Sequence, residues 1–112
     1  MPQLIVRGVT PEQMCTISTP LVKELAELCE CDNDNFMIEC IHTTSVFGGN
    51  VVETYPFIEV AWFERGKEVR DKFADIVTKH VRSLDIPEVE VAFTVFQENS
   101  YYINGESCSD EE

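Results

Sequence analysis

The alternation of apolar and polar positions divides this chain into strand-like and helix-like stretches. Residues 3–9 form a short β-branched run that reads as a strand. Thr10-Pro11-Glu12-Gln13 follows, with a hydroxyl N-cap, proline at the first helical position and Gln three residues after the cap. Met14, Ile17, Leu21, Leu25 and Leu28 then recur at spacings of three and four, which predicts a helix to about Cys29. Pro20 lies inside that helix and lacks an N–H to donate, so a kink is expected there. Cys31-Asp32-Asn33-Asp34-Asn35 is a polar turn. Residues 37–47 read as one strand, Gly48-Gly49-Asn50 as a turn, and Val51 and Val52 as a short strand or bulge. Tyr55-Pro56 opens a further strand over residues 57–64. Residues 67–84 are the clearest helix, with Val69, Phe73, Ile76, Val77, Val81 and Leu84 along one face. Ile86-Pro87 ends it. Val89, Val91, Phe93 and Val95 then alternate with Glu90, Ala92 and Thr94, which is strand periodicity. A polar and aromatic segment over residues 97–105 follows.

The two halves repeat one order. Pro2, strand, helix, turn and strand recur from Pro56 at a shift of about fifty residues, enough for one β-α-β unit. Right-handed crossovers place both helices on the same face of one sheet. The expected fold is therefore α/β (α+β): a two-layer sandwich of duplicated β-α-β units, with a four-stranded mixed sheet under two helices. The other sheet face is left uncovered. It carries large apolar residues whichever parity is chosen in residues 57–64, and such a face is best buried against further copies of the chain. A ferredoxin-like regulatory dimer shares the doubled pattern and is a third, minor reading.

At 112 residues the chain suits one domain, expected over residues 1–105. Residues 106–112 include Asp110-Glu111-Glu112 and read as a solvated acidic tail without fixed structure. The net charge of −13, from 21 acids against 8 bases, repels phosphate backbones and anionic lipid heads. Neither nucleic acid nor membrane is expected as a partner, and no apolar run reaches spanning length. The start Met1-Pro2-Gln3-Leu4-Ile5-Val6-Arg7 has no signal-peptide pattern, so cytoplasmic residence is expected. The five cysteines are odd in number and irregularly spaced, and Cys29-x-Cys31 is no zinc half-site on its own. Structural thiols are expected, with no metal and no cofactor.

Proline directly after the initiator methionine and leading straight into a strand resembles the tautomerase superfamily, that of 4-oxalocrotonate tautomerase and macrophage migration inhibitory factor. The middle segment is similar too: Phe47-Gly48-Gly49 leads to Glu53 and then to Pro56, and the strand from Pro56 ends in Arg65-Gly66-Lys67. The resemblance spans residues 2–96. The chain looks closer still to a bacterial family of this fold with no established activity. The shared marks are Met1-Pro2-Gln3-Leu4, Trp62-Phe63, and Tyr101-Tyr102 followed by Asn104-Gly105. The resemblance implies a homotrimer with the sheets inside and the helices outside. It also implies keto–enol tautomerisation of a small keto or enol acid, with Pro2 as general base after removal of Met1.

The chemistry of Pro2 agrees with that role. A free α-amino group titrates near pH ~8, and burial with a nearby cation disfavours its charged form. A neutral amine can take a proton from carbon beside a carbonyl, and the enolate then needs a donor or cation. If the two repeats meet antiparallel, Arg65 or its backbone N–H comes beside Pro2, which makes it the first candidate to bind an anionic substrate group. Lys67 and Arg7 are weaker candidates. Plainer readings exist for each: Pro2 as a stiff strand start, Arg65 as a solvated residue before a helix, and His80 as a core-edge side chain. The turn at Asp32 to Asn35 offers acids where some tautomerases place a basic residue. The alternative function is therefore a non-catalytic oligomer that binds a small molecule or protein.

Overall fold

Strand β1, Gln3–Arg7, is the shortest complete statement of the fold: Leu4 and Val6 are buried on one side, and Gln3, Ile5 and Arg7 face the other. The structure, a computed structural model, describes residues 2–109. After β1 the chain turns at Gly8, whose φ of +80° and close approach to Tyr55 leave no room for a side chain. Helix α1, Pro11–Cys29, starts with the expected capping box. Thr10 Oγ1 accepts from the Gln13 N–H at 3.1 Å, and Gln13 Oε1 accepts from the Thr10 N–H at 2.9 Å. Met14, Ile17, Leu21, Leu25 and Cys29 are buried along one stripe that runs through Pro20 without a break in the helix. Packing of that stripe outweighs the hydrogen bond that Pro20 cannot make. Glu30, at φ +55°, closes the helix in the left-handed conformation, and the Cys31 N–H donates to the Ala26 carbonyl.

β2, Met37–Cys40, lies parallel to β1, with Leu4 opposite Ile38. The single strand expected over residues 37–47 is in fact two. Ile41 still donates to the Val6 carbonyl at 2.8 Å, but β1 ends at Arg7 and offers little beyond it to pair with. The chain leaves the sheet there and forms a separate hairpin of β3, Ser45–Phe47, and β4, Asn50–Val52. Gly48 and Gly49, both at positive φ, make its two-residue turn.

β5, Phe57–Phe63, runs antiparallel to β1, and β6, Glu90–Phe96, runs parallel to β5. The sheet order is β2-β1-β5-β6, so the two β-α-β units meet through β1 and β5. Helix α2, Lys67–Arg82, buries Phe73, Val77 and Val81. The core gathers these with Leu4, Val6, Ile58, Val60 and Trp62 from one sheet face, so both helices cover that face, as expected. Glu24 ties the helices together, accepting from Lys79 Nζ at 2.8 Å and lying 2.8 Å from His80 Nε2.

The uncovered face does carry the large apolar residues expected, Met37, Ile5, Phe57, Phe63 and Phe96. They alternate with charge, however. The register sets Glu39, Ile5, Glu59 and Ala92 in one row, and Arg7, Phe57 and Glu90 in the next. The Thr94 hydroxyl donates to Glu59 at 2.7 Å, and the Arg7 guanidinium lies 4.7 Å above the Phe57 ring.

Past β6, a second small hairpin joins β7, Tyr102–Ile103, to β8, Glu106–Ser107. The boundary drawn at residue 105 therefore moves: Glu106 and Ser107 are paired, and the Cys108 N–H donates to the Tyr101 carbonyl. The remainder of the proposed tail, residues 110–112, lies outside the described residues, as does Met1. The radius of gyration is 15.6 Å. A closed domain of this size has about 13 Å. Phe47 at the tip of the β3–β4 hairpin is 80% exposed. None of the described helices is long and apolar enough to cross a membrane.

Candidate functional site

Pro2 is fully buried at the head of β1, on the helix-facing side with Leu4 and Val6. Its carbonyl accepts from the Met37 N–H at 3.3 Å. The antiparallel register pairs Gln3 with Ala61, so one further step sets Pro2 against Trp62. Trp62 is itself fully buried, packed on Phe73 at 5.2 Å and Phe93 at 4.9 Å between ring centroids. Its Nε1–H has no hydrogen-bond partner among the described residues.

Arg65 follows the end of β5 and is exposed, with its guanidinium 5.9 Å over the Trp62 ring. Burial pushes the nearby Cys29 thiol up, and the Arg65 charge opposes that effect. Pro2, Trp62, Arg65 and the end of α1 thus share one end of the sandwich. The antiparallel meeting of β1 and β5 is what brings them together.

The part played by Glu64 at this end was not visible in the sequence. The Arg65 backbone N–H, considered as a substrate contact, already donates to Glu64 Oε1 at 3.1 Å. The same oxygen accepts from the Gly66 N–H at 3.2 Å, and Glu64 Oε2 accepts from Arg70 at 2.7 Å. The Glu64 carboxylate therefore supplies the negative charge that the N-terminus of α2 favours. Among the side-chain cations, Arg65 remains directed toward Trp62. Lys67 is on the first turn of α2, 2.7 Å from Asp71 and largely in solvent. Arg7 is at the other end of β1, roughly 16 Å from Pro2 at the usual strand rise. Within one chain it does not join the Pro2 end.

A hollow of about 190 Å³ lies at that other end, between Gly8, Pro11, Cys40, His42 and Thr54. All five thiols are free of disulfides. Burial is the main reason the Cys40 thiol is pushed up, with Cys15 and Glu12 adding to it.

A duplicated β-α-β sandwich with Pro2 at the head of a central strand defines an α+β protein of the tautomerase-like fold. The sequence matches the family described as "Domain of unknown function (DUF1904)" over residues 1–107, and the chain belongs to that family. A member from Sebaldella termitidis is 36% identical, with a TM-score of 0.88 over 96% of this chain and 99% of the other. The fold alone is shared with a macrophage migration inhibitory factor-like protein from Entamoeba histolytica. That match has 18% identity and a TM-score of 0.70 over 95% of this chain and 97% of the other. It is also shared with a fused 4-OT described as an asymmetric trimer, at 14% identity and a TM-score of 0.79 over 95% of each chain. No match was found among curated proteins.

Proposed function

We propose that this protein is a tautomerase-like enzyme acting on a small keto or enol acid, assembled as a homotrimer in the cytoplasm. Pro2 is its base once Met1 has been removed. The observation that carries this reading is the burial of Pro2 at the sheet centre, beside Trp62 and at the Arg65 end. A secondary amine placed there has its charged form disfavoured by burial and by the guanidinium. It takes the proton from a carbon beside the carbonyl as that C–H bond breaks and an enolate forms. The amine then returns the proton to the other end of the enolate, so no redox partner is consumed. Arg65 attracts the substrate carboxylate, with Lys67 as a weaker contributor. Support for assembly comes from the apolar residues left open on the β3–β4 hairpin, Val46, Phe47, Val51 and Val52, which further copies of the chain would bury.

The first test is the intact mass of untagged protein, which should lack one methionine. Pro2→Ala should then keep the oligomer and lose enol-to-keto turnover. Pt0534, which shares the fold, is inactivated by 2-oxo-3-pentynoate. The same acetylenic oxo acid should add once to a free Pro2 amine here, by conjugate addition that raises the mass by one reagent molecule. A retained Met1, or turnover unchanged in Pro2→Ala, overturns the enzyme reading.

One observation favours a non-catalytic binding module instead: the Glu64 carboxylate already sits on the Arg65 and Gly66 N–H groups. On that reading a panel of enol acids shows no turnover, while some ligand raises the melting temperature.

A further inference from the structure

Trp62 is the chain's single tryptophan, and it presents an anomaly. It is fully buried, yet its Nε1–H has no partner, and no other buried side-chain nitrogen or oxygen among the described residues is left in that state. Indole is a donor only, so its need is specifically for an acceptor. Buried donors in folded proteins nearly always find one, and an exception calls for a reason. The neighbouring rings of Phe73 and Phe93 offer only π faces, which are weaker acceptors than oxygen.

The position of Trp62 supplies the reason. It lies one register step beyond the Gln3–Ala61 pair, against Pro2, and the Arg65 guanidinium covers its ring. An unused donor, a cation and the proposed base therefore meet at one end of one sheet. We infer that the Trp62 indole N–H is a ligand-contacting donor. It hydrogen-bonds to a carboxylate or carbonyl oxygen of a small oxo acid held between Pro2 and Arg65. This rests on the Pro2 reading given above and adds to it the group that recognises the acid's oxygen. Access requires that the exposed Arg65 side chain swing off the ring to meet the anion. An acceptor that arrives with its own negative charge then satisfies a donor left unmatched among the described residues.

A single tryptophan makes the test direct. In ¹⁵N-labelled, Met1-free, full-length protein there is one indole N–H resonance. Titration with 2-oxopentanoate should move that resonance downfield, saturating together with the backbone resonances of Gln3 and Gly66. Trp62→Phe keeps an aromatic ring in the core and removes the pyrrole ring with its N–H donor, so a stability loss from the lost volume is expected beside the binding effect. It should keep the oligomeric state and the circular dichroism of the parent while binding 2-oxopentanoate about tenfold more weakly. If the backbone resonances near Pro2 shift while the indole stays still, the donor role is overturned and the Pro2 site stands. The same conclusion follows if Trp62→Phe alters stability but leaves the dissociation constant unchanged. If no resonance responds at millimolar 2-oxopentanoate, both the donor role and the oxo-acid reading fall.

Discussion

The Arg65 guanidinium stands 5.9 Å over the ring of Trp62, and this contact places the one cation of the β5–α2 turn at the Pro2 end of the sheet. It is an exposed cation–π contact, worth about 0.5–1 kcal/mol. Arg65→Ala should therefore lower unfolding stability only slightly, as measured by urea denaturation. It should raise KM for an enol acid by roughly tenfold, since it removes the substrate's charge partner. Lys67→Ala removes a solvent-exposed pair with Asp71 and should change KM less than about twofold. Equal effects of the two substitutions would argue against Arg65 as the specific partner.

Glu24 accepts from Lys79 and His80, and these hydrogen bonds, Lys79 first, hold its carboxyl below the usual carboxylate range. A depressed folded-state value means that the carboxylate stabilises the fold above its unfolded value and stops doing so as pH falls through the folded one. Thermal unfolding of Glu24→Gln should thus show a lower melting temperature than the parent at pH 7. The gap should close as both are titrated below about pH 4. A gap that persists undiminished at pH 3 would show that the loss is one of packing, not of charge.

Gly8 sits at φ +80°, and a Cβ there would come 2.6 Å from the Tyr55 carbonyl oxygen. Gly8→Ala combines a left-handed backbone with a backbone clash and should destabilise by about 2–3 kcal/mol or more. Gly49→Ala, at φ +78° with nothing within 4 Å, carries only the conformational cost, about 1 kcal/mol. Chemical denaturation of the pair separates the two terms.

Pro20 is exposed within α1 and adds nothing to the core. Pro20→Ala restores an N–H inside a helix that already forms without it. The gain of about 3 kcal/mol in helix propensity is offset by about 1 kcal/mol of extra freedom in the unfolded chain. The variant should be more stable by about 2 kcal/mol in guanidinium denaturation. No gain would mean that the α1 backbone is bent to suit the proline.

Truncating Phe73 tests the Trp62 environment from the other side. Phe73→Ala opens a cavity beside the indole and should cost about 3–5 kcal/mol. It should also shift the emission of the single tryptophan to longer wavelength, which native-state fluorescence reads directly.

Local chemistry explains what the sequence alone determined. The capping box at Thr10 and Gln13, the stripe of α2 and the alternation in β6 all arise between residues within a few positions of one another, and each is where the periodicity predicted. The doubling of Pro2 and Pro56 was equally legible, and with right-handed crossovers it placed both helices on one face. Tertiary structure decided the rest, because the rest depends on which strand lies alongside which, and in what register. β2 stops at Cys40 because β1 is short, a fact that no residue in 41–47 announces. Arg65 ranks above Arg7 only on the condition that the two repeats meet antiparallel, and it is the β1–β5 pairing that sends the two cations to opposite ends of the sheet. The Glu64 carboxylate takes the Arg65 N–H through a turn geometry that follows only once α2 begins at Lys67. Nor does any pattern of neighbours reveal that Trp62 carries a buried donor with no acceptor among the described residues, since that requires knowing the groups packed around it.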